Sequence, residues 1–154
     1  MKEIFKEISG STSQIFAVGV GLLYLIIGIG GLAFVGVQSF PLLPHGTFII
    51  FGMNPLHCII HLVVGIVWLV ASIRFAWSKR VNIILGIVFG TLTLLGLFNL
   101  LGFLGVNGIG NPDNFLHLMT GAFSLYFGTT ASEGAKPIMK NHRSSNSSSS
   151  PWVQ

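Results

Sequence analysis

The sequence predicts an all-α fold: an integral membrane four-helix bundle built from two similar helical hairpins. Composition is the first reason. Of 154 residues, 51% are hydrophobic and only 8% charged, against about a quarter charged in an ordinary soluble domain. Charge placement is the second. Asp, Glu, Lys and Arg are absent between Glu7 and Arg74, between Arg80 and Asp113, and between Asp113 and Glu133. Soluble helices of such length need a polar face, whereas a hydrocarbon core of about 30 Å takes about 20 apolar residues as helix. The third reason is repetition, because the second and fourth apolar runs carry the same "HL-x-x-G" at His61-Leu62-Gly65 and His117-Leu118-Gly121.

The transmembrane domain is expected over residues 14–131, with spans at about 14–36, 55–76, 82–105 and 112–131. Residues 1–13, "MKEIFKEISGSTS", set Ile4, Phe5 and Ile8 among charges, which fits a short interfacial amphipathic segment or a frayed terminus. The first span follows Lys2 and Lys6 but is longer than a signal-peptide core and lacks a small-residue cleavage pattern, so it is expected to be retained. Gly21, Tyr24, Gly28 and Gly31 share one stripe of it, and small residues let membrane helices approach closely. The connection "VQSFPLLPHGTFIIFGMN" is long and apolar with two prolines, suiting a cap that dips into the interface.

Asn54-Pro55 and Asn111-Pro112 each read as an N-cap followed by proline at the first helical position, where the missing N–H costs nothing. "AWSKRV" makes a short turn, so spans two and three are antiparallel neighbours. Gly86 and Gly90 form a G-x-x-x-G packing face in span three. Residues 132–154 end in "RSSNSSSSPWVQ", a disordered serine-rich tail with too little apolar content to offset its ordering entropy.

All eight basic residues fall on one side of this topology: Lys2 and Lys6, then Arg74, Lys79 and Arg80, then Lys136, Lys140 and Arg143. The positive-inside rule therefore puts both termini in the cytoplasm and the protein in a cell (inner) membrane. The expected partners are the lipid bilayer, with its anionic headgroups, and a second copy through the glycine-rich helix faces. Nucleic acid is excluded, since the basic pI has this simpler cause. Cys58 is the only cysteine, so no intrachain disulfide forms.

Aligned on the shared motif, "NPLHCIIHLVVG" and "NPDNFLHLMTG" place His57 opposite Asp113. Both spans descend from the same face, so the hairpins form a parallel repeat about an axis along the membrane normal. His61 and His117 then lie roughly 8 to 9 Å inside that face, at about 1.5 Å per residue. His57 and Asp113 sit one turn shallower on the same stripes. Below them run Gly65, Trp68 and Ser72 in span two and Thr120, Gly121 and Ser124 in span four, with Asn99 of span three at a similar depth to the histidines. The predicted cluster is His57, His61, Asp113 and His117, with Asn99 near it.

Together, "NPLHCIIHLVVGI" and "DNFLHLMTGA" resemble the four-span bacterial membrane proteins grouped as domain of unknown function 4383, over about Phe16 to Ala131. The resemblance implies a four-helix membrane fold and no assigned activity. Cys58 departs from the polar or amide residue expected there, and the serine-rich tail lies outside the shared region.

The first expectation is a protein without enzymatic activity or cofactor, in which the cluster acts as interhelical hydrogen-bond glue. A second use is a divalent-metal site on His57, His61, Asp113 and His117, because H-x-x-x-H on one helix face is a usable half-site. A third is haem held between His61 and His117. A fourth is passage of protons or small solutes, since intramembrane ionisable groups mark pathways. No nucleotide-binding loop, nucleophile elbow or H-E-x-x-H zinc motif occurs.

Overall fold

The computed structural model describes residues 10–36, 46–106 and 108–132. Residues 1–9 of the expected interfacial segment, the first part of the long connection and most of the serine-rich tail lie outside them, whereas Thr12 and Ser13, expected in that segment, already begin the first helix. Four helices dominate: α1 (Thr12–Val35), α2 (Pro55–Ser72), α3 (Phe75–Leu97) and α4 (Pro112–Thr130). Between α1 and α2 runs a small antiparallel hairpin of β1 (Gly46–Phe48) and β2 (Phe51–Met53), and between α3 and α4 a single 3-10 turn, Gly102–Leu104.

Each helix start has a local cause. Ser11 and Gln14 form a capping box, the Ser11 hydroxyl accepting from the Gln14 N–H at 3.3 Å while the Gln14 side chain accepts from the Ser11 N–H at 3.0 Å. Asn54 and Asn111 are the N-caps of α2 and α4, each with proline next, as the sequence predicts. Their side chains accept from His57 N–H at 2.8 Å and Asp113 N–H at 2.9 Å.

Helix α3 is displaced from the expected span. It begins at Phe75 rather than near Asn82 and ends at Leu97 rather than near Gly105. Extended backbone at Arg74 makes the turn, and Trp77 and Ser78 N–H groups return to the Arg74 carbonyl. Lys79 and Arg80 therefore lie inside the helix, because backbone hydrogen bonding continues past the point where side chains become polar. At the other end Asn99 takes φ 60°, a left-handed conformation that asparagine tolerates. The chain after it closes into a tight loop with a Leu101↔Val106 bridge. That loop is as apolar as a helix, so hydropathy alone assigns it to the span.

Helices α1 and α2 pack along one another, as do α3 and α4, and the two hairpins meet across a shared core. Burial repeats between them. Ser13, Gly21, Tyr24, Gly28 and Gly31 of α1 correspond to Ser78, Gly86, Phe89, Thr93 and Gly96 of α3, all buried. His57, Cys58, His61, Gly65 and Trp68 of α2 correspond to Asp113, Asn114, His117, Gly121 and Ser124 of α4, again all buried. Both crossings use glycine. A Cβ on Gly65 would stand 2.8 Å from the Gly21 carbonyl, and one on Gly121 3.1 Å from the Gly86 carbonyl. Gly90 contributes only its backbone, since a Cβ there meets nothing within 4 Å.

The polarity is inverted relative to a soluble protein. Ser, Asn, His, Thr and glycine fill the centre, while Ile15, Ile26, Val63, Ile66, Ile84, Ile87, Phe115 and Phe123 face outward. Helices α1, α2 and α3 are each long and apolar enough to cross a membrane. Helix α4, at 19 residues, is more polar because its inward stripe carries Asp113, Asn114, His117, Thr120 and Ser124.

Candidate functional site

The N-caps determine where the imidazoles fall. Counting from Asn54, His57 occupies the first turn of α2 and His61 the second, on one face. From Asn111, Asp113 and His117 take the matching places on α4. All four side chains are enclosed: relative exposure is 1% for His57 and His61, 2% for His117 and 0% for Asp113. The His57 and His61 ring centroids are 4.4 Å apart, and His117 lies 6.1 and 6.3 Å from them across the bundle. One ring nitrogen from each histidine falls in a group whose members all lie within 4.8 Å of one another. Asp113 stands beside this trio, its Oδ1 3.9 Å from His57 Nε2.

Most polar atoms of the cluster are in contact without being hydrogen-bonded. Among the described residues, His57 Nδ1, both nitrogens of His61, His117 Nδ1 and both oxygens of Asp113 have no hydrogen-bond partner. Hydrogen-bond glue does occur in the core, but elsewhere. Tyr24 Oη donates to Thr120 Oγ1 at 3.1 Å, tying α1 to α4. Trp68 Nε1 donates to Asn82 Oδ1 at 2.9 Å, and the Asn82 amide donates to Ser13 Oγ and its carbonyl at 2.9 and 3.1 Å. This second set, joining α1, α2 and α3, escaped the sequence analysis because Asn82 was placed at a span boundary. An amide inside an uncharged run was the available signal.

The surroundings restrict what the cluster can do. A cavity of about 70 Å³ adjoins the imidazoles, lined by His57, His61, His117, Phe89 and Leu104, with Ile60, Val64, Val88 and Leu92 at the α2–α3 seam. That is room for about two molecules of water size, at about 30 Å³ each. A porphyrin is larger than this cavity, which weighs against haem held between His61 and His117. Toward the chain-reversal at Arg74, the buried rings of Tyr24, Trp68 and Phe89 close the space: Tyr24 packs 4.8 Å from His61 edge-on, and Phe89 5.2 Å from His117. On the opposite side the Leu101–Val106 loop forms a lid. The same asparagines that cap the helices hold it, Asn54 Nδ2 donating to the Phe103 carbonyl at 2.6 Å and Asn111 Nδ2 to the Gly105 carbonyl at 3.0 Å.

One sequence expectation changes here. Asn99 does not approach the cluster; it is exposed in the turn after α3, because the helix ends before it. Cys58 and Asn114 occupy equivalent places in the two hairpins, each beneath a glycine. A Cβ on Gly31 would lie 2.6 Å from Cys58 Sγ, and one on Gly96 would collide with the Asn114 amide. Cys58 Sγ thus packs against Gly31 and Met53 rather than joining the imidazoles.

Neither a curated protein nor a solved structure matches this chain. A family model does, over residues 14–130, which takes in all four helices and both histidine motifs, and the chain therefore belongs to the family described as Domain of unknown function (DUF4383).

Proposed function

We propose that this is a four-span cell-membrane protein, both termini cytoplasmic, that binds one divalent transition-metal ion on His57, His61 and His117. The observation that carries the proposal is the convergence of three buried imidazoles, four of whose six ring nitrogens, at least one on each ring, lack partners among the described residues. Unpartnered polar atoms in a buried site are costly, and imidazole suits zinc, copper, iron and nickel. A tetrahedral ion with bonds of about 2.0 to 2.1 Å needs ligand atoms roughly 3.4 Å apart. From within 4.8 Å, modest ring rotation supplies the remainder. Asp113 beside His57 offers the carboxylate that offsets the ion's charge and orients the ring, as outer-shell acids do. Spanning by α4 is supported by its outward Phe115, Leu118, Met119, Phe123 and Tyr126, which leave its polar groups facing the bundle. Orientation rests on the basic turn at Arg74, Lys79 and Arg80.

The role we propose is binding rather than conduction. Tyr24, Trp68 and Phe89 fill the layer through which a solute would have to pass. The test is metal content of the protein purified in detergent after growth with zinc, followed by calorimetric titration of Zn²⁺. One ion per chain is expected. His61→Ala and His117→Ala should each lower affinity by more than the roughly 10- to 100-fold typical of an outer-shell change, and Asp113→Asn by about that amount. Folded wild-type protein that neither retains nor takes up zinc would overturn the proposal.

A further inference from the structure

At the end of the bundle opposite the histidines, the α2–α3 turn and the start of α3 carry Arg74, Lys79 and Arg80, the three Lys or Arg side chains among the described residues. The carboxylate among those residues, Asp113, is buried at the far end, so among the described residues no acid neutralises these charges. Arg74 and Arg80 are exposed, and Lys79 lies with its ammonium 5.7 Å from the Phe75 ring centre. Beside these charges is a cleft of about 340 Å³ lined by Val70, Ile73, Arg74 and Trp77, within the size range of small-ligand sites. All four line the same cleft, so aliphatic surface, guanidinium and indole adjoin one another there. Val70, Ile73 and Trp77 are each more than half exposed, and the Trp77 indole N–H has no partner among the described residues.

We infer that this cleft is a binding site for an anionic phospholipid. Val70 and Ile73 receive the upper acyl chain, the Arg74 guanidinium takes the phosphate in a bidentate pair, and Trp77 sits at headgroup level with its ring against the chain and its N–H toward the glycerol oxygens. Lys79 and Arg80 add attraction for a headgroup with net negative charge. The complement is charge plus hydrocarbon in adjoining halves of one groove, which a phospholipid supplies and a free anion does not. The site rests on the membrane placement proposed above and is independent of the metal.

The test uses full-length protein carrying Trp152→Phe, reconstituted into vesicles containing brominated phosphatidylglycerol or brominated phosphatidylcholine, with tryptophan quenching as the readout. Trp68 is fully buried, so contact quenching reports Trp77. Phosphatidylglycerol should quench with a preference of about fivefold or more over phosphatidylcholine, the scale of one basic residue near a membrane surface. Arg74→Gln should remove most of that preference and Arg74→Lys should keep part of it. Val70→Phe, which fills the apolar half and keeps every charge, should also remove it, and Arg80→Gln should keep more than half. Equal quenching by the two lipids overturns the inference, as does an equal effect of Arg74→Gln and Arg80→Gln with Val70→Phe silent, which would mean diffuse attraction. Competition by millimolar inorganic phosphate would also overturn it, as a site for the free anion. Failure of the membrane placement reads differently: neither brominated lipid would quench.

Discussion

Replacing Gly65 with alanine tests whether the hairpins are held by backbone contact between helices. A Cβ on Gly65 would stand 2.8 Å from the Gly21 carbonyl oxygen and 3.0 Å from both the Leu25 nitrogen and Cγ. Two of those three atoms are backbone, so no rotamer change relieves the clash and α1 must move away from α2. Overpacking of this kind costs about 1 to 3 kcal/mol, while glycine to alanine inside a helix returns about 1 kcal/mol of propensity. Gly65→Ala should therefore destabilise by up to about 2 kcal/mol, and should lie about 1 to 3 kcal/mol below an alanine that meets no neighbour. Gly90→Ala is the control, because a Cβ there meets nothing within 4 Å; it should be neutral or stabilising by up to about 1 kcal/mol. Reversible unfolding in mixed micelles, followed by circular dichroism, measures both. Adding Leu25→Ala to Gly65→Ala should not restore stability, since the carbonyl of Gly21 remains. Equal stability of Gly65→Ala and Gly90→Ala would refute the close crossing.

Three further outcomes follow from the core. Tyr24→Phe removes the 3.1 Å bond to Thr120 that ties α1 to α4 and should cost about 0.6 to 1.7 kcal/mol, the range for hydrogen bonds between membrane helices, measured by the same unfolding assay. Asn82→Leu leaves Trp68 Nε1 and Ser13 Oγ without their partner; at about 1 to 3 kcal/mol per stranded buried group, it should exceed the Tyr24→Phe loss and blue-shift or broaden the tryptophan near-ultraviolet dichroism. Zinc at a hundredfold its dissociation constant should raise wild-type stability by about 2.7 kcal/mol, and His61→Ala should abolish that increment; the check is the unfolding midpoint with and without chelator.

Much of this architecture was legible because lipid as solvent leaves few options. Long uncharged runs must be helices, and asparagine followed by proline marks where α2 and α4 begin. The histidine spacing then puts His57, His61, Asp113 and His117 on stripes that have to face inward, where the structure finds them. Three features were not legible for identifiable reasons. The ends of α3 follow backbone hydrogen bonding, and an apolar loop and a basic helical turn both disguise that in hydropathy. The β1–β2 hairpin is set by tertiary packing, with the Phe48 ring pressed on Gly30 of α1, and its tip has Ile49 at φ 60°, which no turn propensity favours. The lid depends on side chains that act twice, Asn54 and Asn111 each capping a helix with the oxygen and holding the loop with the amide. Sequence reveals the first of those acts only.

The resemblance between hairpins also explains the one residue that looked out of place. Cys58 and Asn114 hold equivalent positions under Gly31 and Gly96, so the site demands a small or planar side chain more than a polar one. The divergence that bears on the proposed metal site is His57 against Asp113. It turns a symmetric pair of imidazoles into three imidazoles with a carboxylate at the side, a donor set in which the ion's charge is partly balanced.

X-ray absorption at the zinc edge, on the zinc-loaded protein in lipid nanodiscs, tests the central claim most directly. A first shell of nitrogen or oxygen at about 2.0 to 2.1 Å, with the outer-shell scattering of three imidazole rings that falls on His117→Ala, is the result expected. A sulfur shell at about 2.3 Å, or a spectrum unchanged by removing His117, would contradict it.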